Sequence, residues 1–348
     1  MKFWFTTTAE EGRFRENSAF LFDMVARAAT SSQNRYVCAQ SPADADIILY
    51  FEPNYPKDAG YARLLLKDPI IRDYPNKCFA VDYNDYPTGF MPGIYVGIPT
   101  GGFDPCRFRA GCYMGQYNAM TTALAEQRGR IPHLLYSFRG SASHSTRTRL
   151  FEAGIASLDG SITQTYPWFT HSELEKQSYT EEMLDSQFIL CPRGHSTTSI
   201  RLFETMELGR VPVIISDDWV PPEGPSWPLF SLRVAESRVK ELPDLLRSYK
   251  PYAAEMGEQA RLAWEQWFSP EMRVIRTLGY AESIMCQRPS DHDEGAFQSQ
   301  WLTTAFAWKN GWTPAQSLYR NVRQGTLAEK IKAKIRRKSG RTEDATQK

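Results

Sequence analysis

The chain has 348 residues, 42% of them hydrophobic and 23% charged, which excludes a disordered, fibrous or miniature protein and leaves room for two units of roughly 150 residues each. Its 41 lysines and arginines face 40 acidic residues, a net charge of +1, so no global field draws it to nucleic acid or to an anionic membrane. Any anion site must be local.

In chain order, Lys2 to Thr6 reads as a first strand, and its Phe3-Trp4-Phe5 core is too brief for the apolar region of a signal peptide. Together with the lack of an apolar run of about 18 residues, this makes a cytoplasmic chain the expectation. Apolar residues recur at helical spacing over 17–29. Asp46 to Phe51 is an apolar run of the kind buried on both faces of a parallel sheet. Strands are predicted at Cys78 to Asp82, Ile94 to Val96 and His133 to Phe138, with a helix over 119–128. The rhythm continues with helices over 147–157 and 180–185, a strand at Phe188 to Cys191, a helix over 198–208 and a strand at Val211 to Ser216. Helices then dominate, over 239–249, 252–267 and 270–284; the pattern weakens across 289–310, and 327–337 reads as a short basic helix before a polar tail. Strands alternating with helices predict an α/β fold in which ligands sit beyond the carboxyl ends of parallel strands.

The chemistry concentrates in residues 186–219, which resolve into strand, loop, helix and strand. Gly194 lets a backbone approach closely, and the hydroxyls of Ser196, Thr197, Thr198 and Ser199 can cap the helix or donate to an anion. Arg201 falls in the first helical turn, where the macrodipole disfavours a cation by about 0.3–1 kcal/mol unless an anion is bound. With Arg193 it offers two guanidinium forks for a diphosphate. Glu204, on the same helical face, can accept from ribose hydroxyls. The plainer alternatives are an exposed Arg201–Glu204 ion pair, hydroxyls that only cap the helix, and a solvated Arg193. Neither a Walker A loop nor a Gly-x-Gly-x-x-Gly turn is present, which removes the main support for P-loop and NAD readings. The six cysteines form no Cys-x-x-Cys pair and no zinc spacing with the five histidines, so they read as reduced thiols and no metal site is expected.

The succession Cys-Pro-Arg-Gly, Ser-Ile-Arg-Leu-Phe-Glu and Gly-Arg-Val-Pro-Val-Ile-Ile-Ser-Asp-Asp-Trp resembles the nucleotide-sugar-binding core of exostosin-like glycosyltransferases, family 47, of bacterial type. Ala45 to Pro53, Tyr136-Ser137-Phe138-Arg139-Gly140 with Arg147 and Leu150, and Trp227 to Val234 extend the resemblance over about 40–285. It implies the GT-B fold, two Rossmann-like domains facing across a cleft with extra C-terminal helices. The divisions expected are 1–135 for the acceptor side, 136–285 for the nucleotide-sugar side and 286–348 for a helical extension with a basic tail.

By the same resemblance, the activity would be inverting transfer of a sugar from a UDP-sugar to a glycan in polysaccharide synthesis. Arg193 and Arg201 would hold the diphosphate and Glu204 the ribose, with Arg147 near the leaving group and Arg139 a further candidate. Basic side chains would replace a divalent cation, so no cofactor and no metal are expected. Asp217-Asp218 is better placed to line the uracil or sugar pocket than to bind a metal. The general base would come from the first domain: Asp82, Asp85 and Glu52 end strands there, with His144 as another option. Asp82 and Asp85 can also be read as satisfying turn amides. The competing reading is a silent subunit that scaffolds an active transferase, in a homo- or hetero-oligomer. The basic residues between Lys330 and Lys338 are a solvated tail or a peripheral contact with an anionic inner membrane face.

Overall fold

The computed structural model describes residues 1–7, 35–52, 57–114, 118–166 and 172–310. The helices expected over 17–29 and 327–337, and the basic tail, lie outside them.

The first sheet is parallel throughout, in the order β2-β1-β3-β4-β5-β6. Its strands are β1 (Lys2–Thr6), β2 (Val37–Cys38), β3 (Ile47–Phe51), β4 (Cys78–Asp82), β5 (Gly93–Tyr95) and β6 (Phe108–Ala110). Every residue of β3 and β4 is buried, as an apolar strand sandwiched between helical layers must be. Helix α1 (Ala59–Lys67) follows β3, capped by Asp58, whose carboxylate accepts from the Gly60 and Tyr61 amides. Helix α2 (Pro69–Asp73) is capped the same way by Asp68, with proline in its first turn. Helix α3 (Ala119–Leu124) ends earlier than the predicted 119–128, continuing as a 3-10 turn over Ala125–Gly129.

The second sheet is also parallel, in the order β11-β10-β9-β7-β8. It comprises β7 (Leu134–Gly140), β8 (Gly160–Gln164), β9 (Ser186–Pro192), β10 (Val211–Ile215) and β11 (Leu232–Arg233). Helix α4 (Ser145–Glu152) starts before the predicted Arg147 because His144 caps it, and stops before Gly154, whose φ of 66° belongs to the left-handed region. Helix α5 (Glu173–Leu184) starts well before Thr180 because Ser172 and Glu175 form a reciprocal capping box. Helix α6 (Ile200–Glu207) ends on Gly209 at φ 64°, whose amide bonds the Met206 carbonyl at 3.1 Å. The short strands β2, β6, β8 and β11 were not among the predicted elements.

Helices α7 (Leu242–Tyr249) and α8 (Ala253–Trp267) stay with the second sheet. Helix α9 (Pro270–Gln287) crosses back and packs on β3, β5 and β6 of the first. Arg109 of β6, 2% exposed, fastens it there by donating to Ser283 Oγ at 3.1 Å and Gln287 Oε1 at 2.7 Å. The last described helices, α10 (Glu294–Gln298) and α11 (Thr304–Lys309), bring Trp301 and Phe306 into the first unit's core against Phe90. So all but the last two residues of α9 fall in the 136–285 expected for the second domain, yet the helix packs on the first, and residues 294–309 are part of the first unit's wall. Two parallel α/β units facing across a cleft, closed by a returning helix, are the GT-B arrangement.

Candidate active site

The loop between β9 and α6 is positioned from both sides. Its first amide, of Arg193, donates to the Ile215 carbonyl at the end of β10 at 3.0 Å. Beyond Gly194 and His195, Ser196 Oγ accepts from the Thr198 amide at 3.3 Å. Thr198 Oγ1 donates to the Val96 carbonyl at 2.8 Å, and Tyr113 OH donates to the Thr198 carbonyl at 3.0 Å. Tyr86 OH meets His195 Nδ1 at 3.0 Å, and the Thr100 amide donates to the Asp218 carbonyl at 3.1 Å. The loops after β9 and β10 of the second unit are thus stitched to loops following β4, β5 and β6 of the first.

A cavity of about 770 Å³ opens at this seam. Arg193, His195, Thr197 and Asp218 line it from the second unit, and Asp85 and Tyr86 from the first. Its size suits a nucleotide-sized ligand. Thr197 Oγ1 is buried without a hydrogen-bond partner, an arrangement that leaves a donor to spend on a ligand.

Three arginines gather at the carboxyl ends of β7 and β9. Arg193 Nη1 reaches Asp218 Oδ2 at 3.2 Å and Glu236 Oε1 at 3.9 Å, while its buried Nε has no acceptor. Arg147 donates to the carbonyls of Arg193 at 3.2 Å, Ser141 at 3.4 Å and Pro192 at 3.5 Å. Burial, reinforced by the nearby Arg201 charge, lowers its pKa to about 10. Arg201 donates to Tyr179 OH at 3.2 Å and to the Arg139 carbonyl, and its Nη1 is buried with no acceptor. The aromatic face of Phe138 serves both cations, with Arg201 4.5 Å and Arg147 5.7 Å from its ring centre. Arg193 alone of the three lines the cavity; Arg201 does not share a hydrogen-bond partner with it. Arg201 is buried, and the Arg193 side chain is 12% exposed and paired with Asp218, so neither is a freely solvated surface group.

The other expected site residues distribute as follows. Gly194 is close-packed, but against Arg147: a Cβ there would stand 3.2 Å from its Nη2. Ser199 is the N-cap of α6 without a capping bond from its side chain. Glu204 stands off the cavity wall, and its carboxylate oxygens accept from Tyr179 OH at 2.6 Å and Asn118 Nδ2 at 3.0 Å. The helical turn that separates it from Arg201 aims it toward α5 and α3. Arg139 forms an ion pair of 2.6 Å with Glu182, and its carbonyl accepts from Arg201. Asp217 is locked to Glu236 by a reciprocal pair: its Oδ1 accepts the Glu236 amide at 3.0 Å, and its own amide donates to Glu236 Oε1 at 3.2 Å.

The candidate bases also separate. Asp82 is 1% exposed, accepts from the amide and side chain of Asn84, and is absent from the cavity wall. Burial, partly offset by the Lys57 charge, raises its pKa to about 6. Glu52 is buried in an ion pair with Lys57 and accepts from Tyr61 OH. His144 Nδ1 accepts from the Thr146 amide at 3.2 Å, and burial followed by the surrounding cations lowers its pKa to about 4. Asp85 is the carboxylate of this set on the cavity wall. Burial raises its pKa against the opposing pull of His195, Arg147 and the Ser196 amide.

Thr197 was among the loop hydroxyls the sequence nominated, whereas His195 and Tyr86 carried no periodic or motif signal of their own. Glu236 carried none at all; folding brings it back to Asp217 and Arg193.

Residues 116–249 match the exostosin GT47 domain profile. The Exostosin-1 homolog of Caenorhabditis elegans is 35% identical over 100 residues, 28% of this chain and 26% of that protein. The probable glucuronosyltransferase GUT1 of Oryza sativa subsp. japonica is 38% identical over 134 residues, 38% of this chain and 29% of that protein. The match thus spans under a third of either relative. Among solved structures, an α1,3-fucosyltransferase aligns with a TM-score of 0.42 at 12% identity, over 84% of this chain and 92% of that one.

Proposed function

Through residues 116–249 the chain belongs with the exostosin-like GT47 glycosyltransferases, and from that premise we propose that it transfers a sugar from a UDP-sugar to a glycan hydroxyl with inversion. The observation that carries this reading is the cavity at the seam, with Arg193 and the unpartnered Thr197 hydroxyl on one wall and Asp85 on the other. In inverting transfer the acceptor hydroxyl loses its proton as it attacks the anomeric carbon, and the sugar–phosphate bond breaks on the opposite side. Asp85 takes that proton. Arg193 meets the diphosphate as negative charge develops on it, while Arg147 and Arg201 add positive potential around the Phe138 ring. These cations stand in for a metal ion, so turnover is expected to survive a chelator. Glu204, Arg139 and Asp217 stand off the cavity wall and are given no direct role in this scheme.

The test is a thermal-shift and calorimetric panel of UDP, GDP, CDP and TDP with their sugars, using wild type and Arg193→Ala. Loss of charge-assisted hydrogen bonds worth about 1.5–3 kcal/mol predicts a drop in UDP affinity of roughly 10- to 100-fold. No response to any nucleotide, or an unchanged response in the variant, would refute the donor site. UDP binding without hydrolysis or transfer of any UDP-sugar would favour the silent-subunit reading instead.

A further inference from the structure

The cavity has a second half that the donor site leaves unused. Its wall there comes from the returning C-terminal segment: Phe297 of α10, and Phe306, Trp308 and Lys309 of α11, beside Arg107 and Asp104 of the first unit. This wall is built with some rigidity. Arg107 grips Glu294 through both carboxylate oxygens at 2.9 and 2.6 Å, and its guanidinium lies 3.6 Å from the Phe297 ring centre. Trp301, fully buried, and Phe306 anchor α11 by packing on Phe90 at 5.3 and 5.6 Å. Trp308, on the same short helix, remains 60% exposed at the rim.

A large aromatic ring at the edge of a cavity lined by both apolar and polar groups suits a saccharide, whose C–H face packs on a ring while its hydroxyls reach charged and amide groups. Asp104 and Asn310 provide such groups on the same wall, and the cavity continues from there to Asp85. The lining contains Lys57, Arg107, Arg193 and Lys309 against Asp58, Asp85, Asp104 and Asp218, so charge does not select an anionic glycan. We propose that Trp308 is the platform of the acceptor subsite and sets acceptor specificity by stacking on a sugar ring. The assignment rests on the glycosyltransferase reading, because it places the acceptor hydroxyl between this platform and Asp85.

The experiment uses the full chain loaded with UDP on a printed oligosaccharide array. The best-retained saccharide is then titrated by calorimetry against wild type, Trp308→Ala and Trp308→Phe. The expected result is a loss of at least tenfold in saccharide affinity for the alanine variant and under threefold for phenylalanine, with UDP affinity within twofold throughout. Equal saccharide binding by Trp308→Ala and wild type would overturn the platform, as would an array on which loaded wild type retains nothing. Saccharide binding that depends on Trp308 in a chain that does not bind UDP would support the platform while refuting the donor site.

Discussion

Asp85 and Asp82 sit three residues apart, and burial decides between them. Asp85 lines the cavity with its pKa above the ordinary carboxylate range, whereas Asp82 is sealed beneath with Asn84. A base must be deprotonated, so kcat/KM for transfer should rise with pH through the Asp85 pKa, with an acid limb displaced upward from that of a free aspartate. Asp85→Asn should remove that limb and lower kcat by roughly 10²–10⁴-fold while sparing UDP affinity. An unaltered pH profile in the variant would exclude Asp85 as the base. The sequence could nominate both carboxylates because Asp82 ends strand β4 and Asp85 follows it. Only tertiary packing could rank them, and the same holds for Glu204, whose partners Tyr179 and Asn118 come from distant segments.

Among elements, the β9–loop–α6–β10 unit was the most legible in the sequence. Continuous apolar runs, a hydroxyl-rich loop and a glycine after the helix each have one ready structural use, and they agree. Edge strands were illegible for the complementary reason. β8 is polar, and β2 and β11 are two residues each, so neither alternation nor burial marks them. The packing of this unit turns on Gly257 of α8. A Cβ there would stand 2.4 Å from the Gly209 carbonyl oxygen, which lies in the turn between α6 and β10. Gly257→Ala must push backbone apart, and overpacking of this kind costs about 1–3 kcal/mol. Chemical denaturation should show the loss. A midpoint at or above that of wild type would mean that the turn yields freely.

At the scale of the whole molecule, two parallel sheets were predictable from strand rhythm, but the path of the last helices was not. Amphipathic spacing locates α9 without saying which sheet receives it, and the weakened pattern over 289–310 concealed a segment that completes the first core. One buried cluster includes residues of both units, such as Phe79 and Ile94 with Leu202 and Ile214. Trp301→Ala removes a fully buried indole from the first core and should cost about 3–5 kcal/mol. Because α9 and the shared cluster couple the units, unfolding should stay a single transition followed by both tryptophan fluorescence and circular dichroism. A separate early transition in the variant would show that the coupling is weak.

The return of α9 to the first sheet also fixes an order of events at the ribosome. Strands β1 to β6 emerge long before α9 to α11, and until Arg109 finds Ser283 and Trp301 finds Phe90 the apolar surface that those later helices bury lacks its cover. The half of the protein that is made first is therefore the half that must wait to be finished, a window in which exposed apolar surface favours aggregation.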